Sequence, residues 1–201
     1  MFLTEPVAAL GAALDADIGA VSDEPPRRNI APGQDVIVLT ASGLSRMRWG
    51  IIPVGRVNAR GRPVMETIIN ARGETLFDKS AFQGTGRAVV PVNGWYEWTG
   101  EKRRKTAWAI SSRTEPFLYF AAITDRWTAP GGAVLAQVAT VTCAPSADVE
   151  KIHHRMAVIL RRADMDLWLN GSAEEVRPLI QPWPDGQLQV HPAEGVDWNG
   201  P

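Results

Sequence analysis

The chain has 201 residues, 45% of them hydrophobic and 21% charged, and a formal net charge of −1. That length and composition can bury a globular core, and the near-neutral balance excludes the global basic field that draws in nucleic acid. A single cysteine, Cys143, excludes an internal disulfide and any multi-cysteine zinc site. No apolar run approaches the ~20 residues of a membrane span, and no basic-then-apolar leader is present, so the chain reads as cytoplasmic. The cations are nearly all arginine, with lysine only at Lys79, Lys102, Lys105 and Lys151. Either a coding bias or phosphate recognition by the planar guanidinium produces that skew.

In chain order, TEPVAALGAALDA predicts a short helix, with Thr4 as its cap, Glu5 in its first turn and Val7, Leu10 and Leu14 on one face. SDEPPRRNIAPG, with its prolines, is irregular. QDVIVLT has the pattern of a buried strand, and LSRMRWG alternates as a half-exposed strand does. IIPVGRVNARGRPV is broken by Pro and Gly and reads as loop until METIIN. RAVVPVNGWYEW and KTAWAI are strands around the polar turn TGEKRRK, and PFLYFAAI and AVLAQVATVTCA are apolar strands. SADVEKI predicts a one-to-two-turn helix capped by Ser146, with Val149 and Ile152 inward. MAVIL is a strand, ADMDLWLNG a helix stopped at Asn170-Gly171, and SAEEVRPLI carries a capping box from Ser172 to Glu175. QLQVHP closes as a strand. Many strands with few, short, irregularly placed helices make the class α+β.

Several stretches gather chemistry. NARGE puts an amide, a guanidinium and a carboxylate within Asn70–Glu74 at the end of an apolar run, either facing a site or capping the next helix. In GWYEW, a strand would turn Trp95 and Glu97 to one side and Tyr96 and Trp98 to the other. A carboxylate against aromatic surface has a raised pKa and can move protons near neutrality; an edge-strand glutamate in water is the alternative. In IHHRM, adjacent histidines point to opposite faces and cannot share an ion, so a metal site is not expected. His153 and Arg155 would share a face, which suits an anion beside a proton-transfer group. RMRWGIIP offers Arg46, Arg48 and Trp49 either as a rim that stacks bases and holds phosphates, or as a core tryptophan with solvated arginines. EKRRK reads as a solvated hairpin tip, or as a minor basic patch.

NIAPGQ (29–34), WGIIP (49–53), INARGET (69–75), RAVVPVNGWYEW (87–98) and IHHRMAVIL (152–160), in this order and spacing, resemble the SRAP (SOS response-associated peptidase) family of abasic-site processing proteins. The likeness runs from about Asn29 to His191. It implies a single α+β domain over residues 1–201, with a barrel-like, largely antiparallel β core and a groove for single-stranded DNA carrying abasic sites. It also implies a covalent DNA–protein crosslink. In the family an N-terminal cysteine, exposed by loss of the initiator Met, condenses through its amine with the ring-opened aldehyde, and its thiol closes a thiazolidine. An α-amine, with pKa near ~7.7–8.0, is in part neutral and nucleophilic at cell pH.

By motif, the resemblance makes Asn70 the residue that orients the terminal residue or the opened sugar. Glu97 becomes the proton shuttle, and His153 the group that helps open the sugar ring. Arg72 and Arg155 would hold the DNA backbone. Trp49, Gly50 and Pro32 would line the groove, with Arg48 beside them. His154 stands where the family has Asp. The implied protein is a cytoplasmic monomer without cofactor, held at the nucleoid when bound to DNA. A thiol autopeptidase and a non-catalytic single-strand-binding module are the alternatives.

The chain departs from the family at its start, reading Met-Phe-Leu-Thr where the family reads Met-Cys-Gly-Arg. One explanation is a member without the nucleophile; the other, favoured by the intact Asn70, Glu97 and His153, is a reading frame that starts four residues earlier. Met1 would then lie within about 14 Å of the missing nucleophile, at ~3.3–3.6 Å per residue. The pocket should be open, and the chain as written should bind DNA without a stable crosslink. Cys143, in an apolar strand with no amine to share the aldehyde, reads as a packed small hydrophobe.

Overall fold

A computed structural model describes residues 1–53, 66–101, 104–129 and 131–200. After helix α1 (Val7–Leu14), β1 (Asp35–Thr40) and β2 (Gly43–Trp49) form a hairpin, with Thr40 opposite Gly43. Gly43 closes it at φ 104°, a value that side-chain-bearing residues rarely adopt. β3 (Asn70–Arg72), β4 (Gly86–Val92), β5 (Gly94–Thr99) and β6 (Thr106–Ser112) follow, then the long strands β7 (Leu118–Thr128) and β8 (Val134–Cys143).

The pairings close on themselves. β7 pairs β4, β4 pairs β1, β1 pairs β2, β2 pairs β8, and β8 pairs β7 again. The result is a ring of strands, antiparallel except where β2 and β3 run parallel to β8. Closure fits the sequence: the middles of β4 and β7 are buried and apolar on both faces, and β8 is buried on both faces with Gln137 and Thr140 as its buried polar residues. A second sheet, β11–β6–β5 with β11 (Leu188–Pro192), stands beside the ring. The fold is α+β and sheet-dominated, as the strand pattern implied. No helix among the described residues is long and apolar enough to cross a membrane.

MAVIL divides into β9 (Met156–Ala157) on β8 and β10 (Ile159–Leu160) on β7. Val158 is the switch point, donating its N–H to Val141 and accepting from Ala121 through its carbonyl. α2 (Met165–Asn170) sets Trp168 fully inside, its indole N–H on the Ala88 carbonyl at 2.9 Å. The capping box at α3 (Ala173–Val176) is present, Ser172 and Glu175 each satisfying the other's backbone N–H.

Two helix expectations fail. Thr4 does not cap α1, which starts at Pro6 without a side-chain cap; Asn93 takes the Thr4 N–H and hydroxyl instead. SADVEKI forms hydrogen-bonded turns rather than a helix, and the buried Ser146 hydroxyl has no partner. Of the two residues expected inward, Val149 is fully buried and Ile152 is half-buried. Much of the loop read in IIPVGRVNARGRPV falls at residues 54–65, outside the described residues, as do Lys102 and Arg103 of the β5–β6 turn.

The first residues lie between two segments. Leu3 exchanges backbone hydrogen bonds with Arg27, and Phe2 donates to Gly94 and accepts from Asn93. A Cβ on Gly94 would collide with the Ile110 carbonyl and the Phe2 ring. Gly94→Ala should therefore cost about 1–3 kcal/mol, as overpacking does. The shift of the urea midpoint measures it, and an unchanged midpoint would show that the Phe2 strand does not need this close approach.

Candidate functional site

A cavity of about 340 Å³ opens between β5, the edge of β3, the C-terminal half of β8 and the 153–157 segment. Glu97 supplies its carboxylate. In β5 the alternation holds: Trp95 packs edge-on against Phe120, while Tyr96 and Trp98 meet on the other side with ring centres 6.5 Å apart. Burial pushes the Glu97 carboxyl above its ordinary range, and the neighbouring His153 charge opposes that rise. His153 Nδ1 lies 3.8 Å from Glu97 Oε1 and 2.8 Å from the Arg155 carbonyl oxygen, to which it donates when protonated there. At 3.8 Å the two groups lie beyond direct hydrogen-bond distance, side by side at the cavity wall.

Asn70 sits on β3 rather than in a loop, because β3 adds in parallel to β8. Its Oδ1 accepts the Thr140 hydroxyl, which fixes the amide; among the described residues no hydrogen bond engages Nδ2. Arg72 is two residues along the same exposed face. It is not among the residues bordering the cavity.

Arg155 borders the cavity, yet most of its donors are already engaged. Nη1 and Nη2 reach Glu74 at 2.6 and 2.8 Å, and Nη2 also donates to the Thr142 carbonyl at 2.6 Å. The guanidinium in turn holds Glu74 below the usual carboxylate range. Arg155 is therefore a fixed, half-neutralised cation.

The rim expected from RMRWGIIP is rearranged. Trp49 borders the cavity but is 9% exposed, its indole N–H on the Ile69 carbonyl at 3.1 Å; it is floor, with no free face for stacking. Arg48 folds back onto the Gly50 carbonyl at 2.5 Å and, like Gly50, does not border the cavity. Gly50 holds φ 124°, and a Cβ there would meet Thr67 at 2.7 Å, so its role is in the turn. Arg46 is bound to Asp23 and Glu24. Pro32 does line the wall.

Some contributors were not foreseen. Met1 is buried, its α-nitrogen 3.0 Å from the Ile30 carbonyl, and it lines the cavity together with Trp98. Burial lowers that α-amine to about 5. Thr140 and Thr142 also line the cavity; their alternation with Val141 in VATVTC was the available signal. Cys143, buried in β8, is pushed up to about 12 by burial, which keeps it a thiol.

The ring of strands thus carries a partly aromatic cleft in which the half-buried Glu97 carboxylate lies beside the His153 imidazole. The model of the SOS response associated peptidase (SRAP) family matches residues 1–196, and the chain belongs to that family. Abasic site processing protein YoqW of Bacillus subtilis (strain 168) is 29% identical over 177 residues, covering 83% of this chain and 78% of that protein. Abasic site processing protein YobE of the same organism is 32% identical over 153 residues, covering 72% and 68%. A crystal structure of a protein from Bacteroides thetaiotaomicron superposes with a TM-score of 0.81 at 23% identity, over 96% of this chain and 90% of that one, which shows the shared fold.

The raised Glu97 pKa carries a pH signature. The folded chain keeps this proton above the ordinary value of 4.5, where the unfolded chain has lost it. With respect to this group, stability is greatest below the ordinary value and falls as pH rises through the raised one. Glu97→Gln, neutral throughout, should raise the urea midpoint at about pH 7, with the gain vanishing near about pH 4. An equal effect at both values would mean that Glu97 is not held protonated.

Proposed function

We propose that the cleft receives the ring-opened sugar of an abasic site in single-stranded DNA and that Glu97 moves the protons of imine formation there. The observation that carries this reading is that Glu97, His153 and Met1 all border one cavity, with the Glu97 carboxylate 3.8 Å from the His153 imidazole. The names of the relatives, abasic site processing proteins, support the substrate. Asn70, fixed through Oδ1 by Thr140, holds the opened sugar through its Nδ2. His153 assists ring opening. Arg155 and Arg72 hold phosphate, Arg155 through the one Nη1 hydrogen that Glu74 leaves it.

The covalent step belongs to a residue carrying both an amine and a thiol. Its amine attacks the C1′ aldehyde and water departs as the imine forms. The thiol then adds to the imine carbon while its proton passes to the nitrogen, closing the thiazolidine. A Met-Cys-Gly-Arg extension of the first strand would bring such a residue to the cavity that Met1 now borders. Glu97 is suited to the dehydration because burial raises its pKa, and a carboxyl that holds its proton more tightly than usual can donate to the departing hydroxyl and take the proton back.

Denaturing electrophoresis with an abasic oligonucleotide tests the reading. The chain as written should give no heat-stable adduct, and the chain extended by Met-Cys-Gly-Arg and freed of its initiator Met should give one. Glu97→Gln in the extended chain should slow adduct formation by about 10²–10⁴-fold, the usual contribution of a positioned acid–base group. A stable adduct from the chain as written, or an undiminished rate in the Glu97→Gln variant, overturns it.

A further inference from the structure

Four large hydrophobic side chains are exposed among the described residues: Trp98 at 44%, Val134 at 58%, Leu167 at 38% and Trp198 at 42%. Two of them touch. The Trp198 ring centre lies 5.5 Å from Trp98 and 5.0 Å from Tyr96, and both of those residues line the cavity. Trp198 falls beyond residue 196, where the family match ends, so this contact belongs to this chain's own tail. The tail is fastened: Asn29, on the cavity wall, donates Nδ2 to the carbonyls of Asp197 at 3.2 Å and Gly200 at 2.9 Å.

Indole surface in water at the mouth of a polar cleft is unfavourable unless something covers it. A lesion without a base leaves the neighbouring base with a bare face. The exposed Asp197 carboxylate beside Trp198 disfavours a phosphate at this spot, which leaves the base as the part of the strand that fits. Resting on the reading of the cleft given above, we propose that Trp198 and Trp98 form a stacking platform for the nucleobase next to the abasic sugar. The C-terminal tail is then part of the DNA-binding surface, and Trp198 a residue that places the strand.

The test uses fluorescence anisotropy with single strands carrying a tetrahydrofuran abasic analogue, which binds without reacting. In one strand the lesion is flanked by ordinary nucleotides; in the other both flanking positions are also tetrahydrofuran. Trp198→Ala should raise Kd about tenfold on the first strand and leave the second within about twofold, since one stacked base contributes on that scale. Trp198→Phe, which keeps an aromatic face, should recover most of the loss. Unchanged binding of Trp198→Ala to the first strand overturns the platform. So does an equal loss on both strands, which would mark Trp198 as a structural cover. If the wild-type chain shows no preference for the lesion over an intact strand, yet Trp198→Ala still weakens binding where flanking bases are present, the abasic reading falls and the platform stands. A wild-type chain that binds neither strand overturns both.

Discussion

The site depends on how the first residues are held. Asn93, in the turn between β4 and β5, accepts through one Oδ1 from the backbone N–H groups of Thr4 and Glu5 and from the Thr4 hydroxyl, while its Nδ2 reaches the Pro116 carbonyl. Its own N–H goes to Phe2, and Ile30 donates to the Met1 carbonyl on the other side. The start of the chain is thereby threaded between the 27–30 segment and β5. Its direction is fixed by these bonds, which seat Met1 at the cavity wall with its nitrogen on the Ile30 carbonyl. Phe2 then covers Tyr96 with ring centres 5.1 Å apart, and the aromatic row continues through Trp98 to Trp198. A polar residue in a turn thus organises both the buried end of the site and its aromatic mouth.

The charges within the cleft divide into two kinds. Glu97 is half-buried, and desolvation outweighs the nearby His153 and N-terminal charges, so its proton is held more tightly than usual. Glu74 lies at the surface against a guanidinium, so the ion pair decides and its proton is lost more readily. The same side-chain type is therefore pushed in opposite directions: one acid holds its proton more tightly, and the other stays ionised and positions Arg155. Met1 follows the first pattern, since burial disfavours its ammonium form even with the Glu97 carboxyl nearby.

Strand periodicity was legible in the sequence wherever one pattern dominated. The β1 and β2 strands, the GWYEW alternation and the capping box needed only local information. What escaped depended on partners far along the chain. Thr4 has the composition of a helix cap, but Asn93, 89 residues away, offers a better acceptor. Ser146 has the spacing of a cap over a segment that closes as turns. MAVIL reads as one strand because nothing local marks Val158 as the place where pairing moves from β8 to β7. Within the site, Asn70, Glu97, His153, Arg155, Pro32 and Trp49 do converge on the cavity, whereas Arg72, Arg48 and Gly50 do not border it. Trp198 could not be anticipated from any motif, because its position is set by Asn29 and by the rings it meets.

The arginine skew of the composition looks different once each guanidinium is followed to its partners. Arg46 joins Asp23 and Glu24 to the Ala20 carbonyl; Arg87 holds the carbonyls of Trp168 and Gly171; Arg162 reaches Leu14; Arg177 pairs with Asp78. These are cross-links between segments distant in the chain, made by a side chain whose several donors in a fixed plane can serve two acceptors at once. A guanidinium satisfied in this way has little left for phosphate. The fold thus spends much of its cationic side-chain chemistry on itself, and with a net charge of −1 there is no surplus field to attract a polyanion. Recognition of a nucleic acid by this surface must therefore lean on what the cleft retains: a shaped cavity, a fixed amide, a proton-holding carboxyl and indole faces left bare at its mouth.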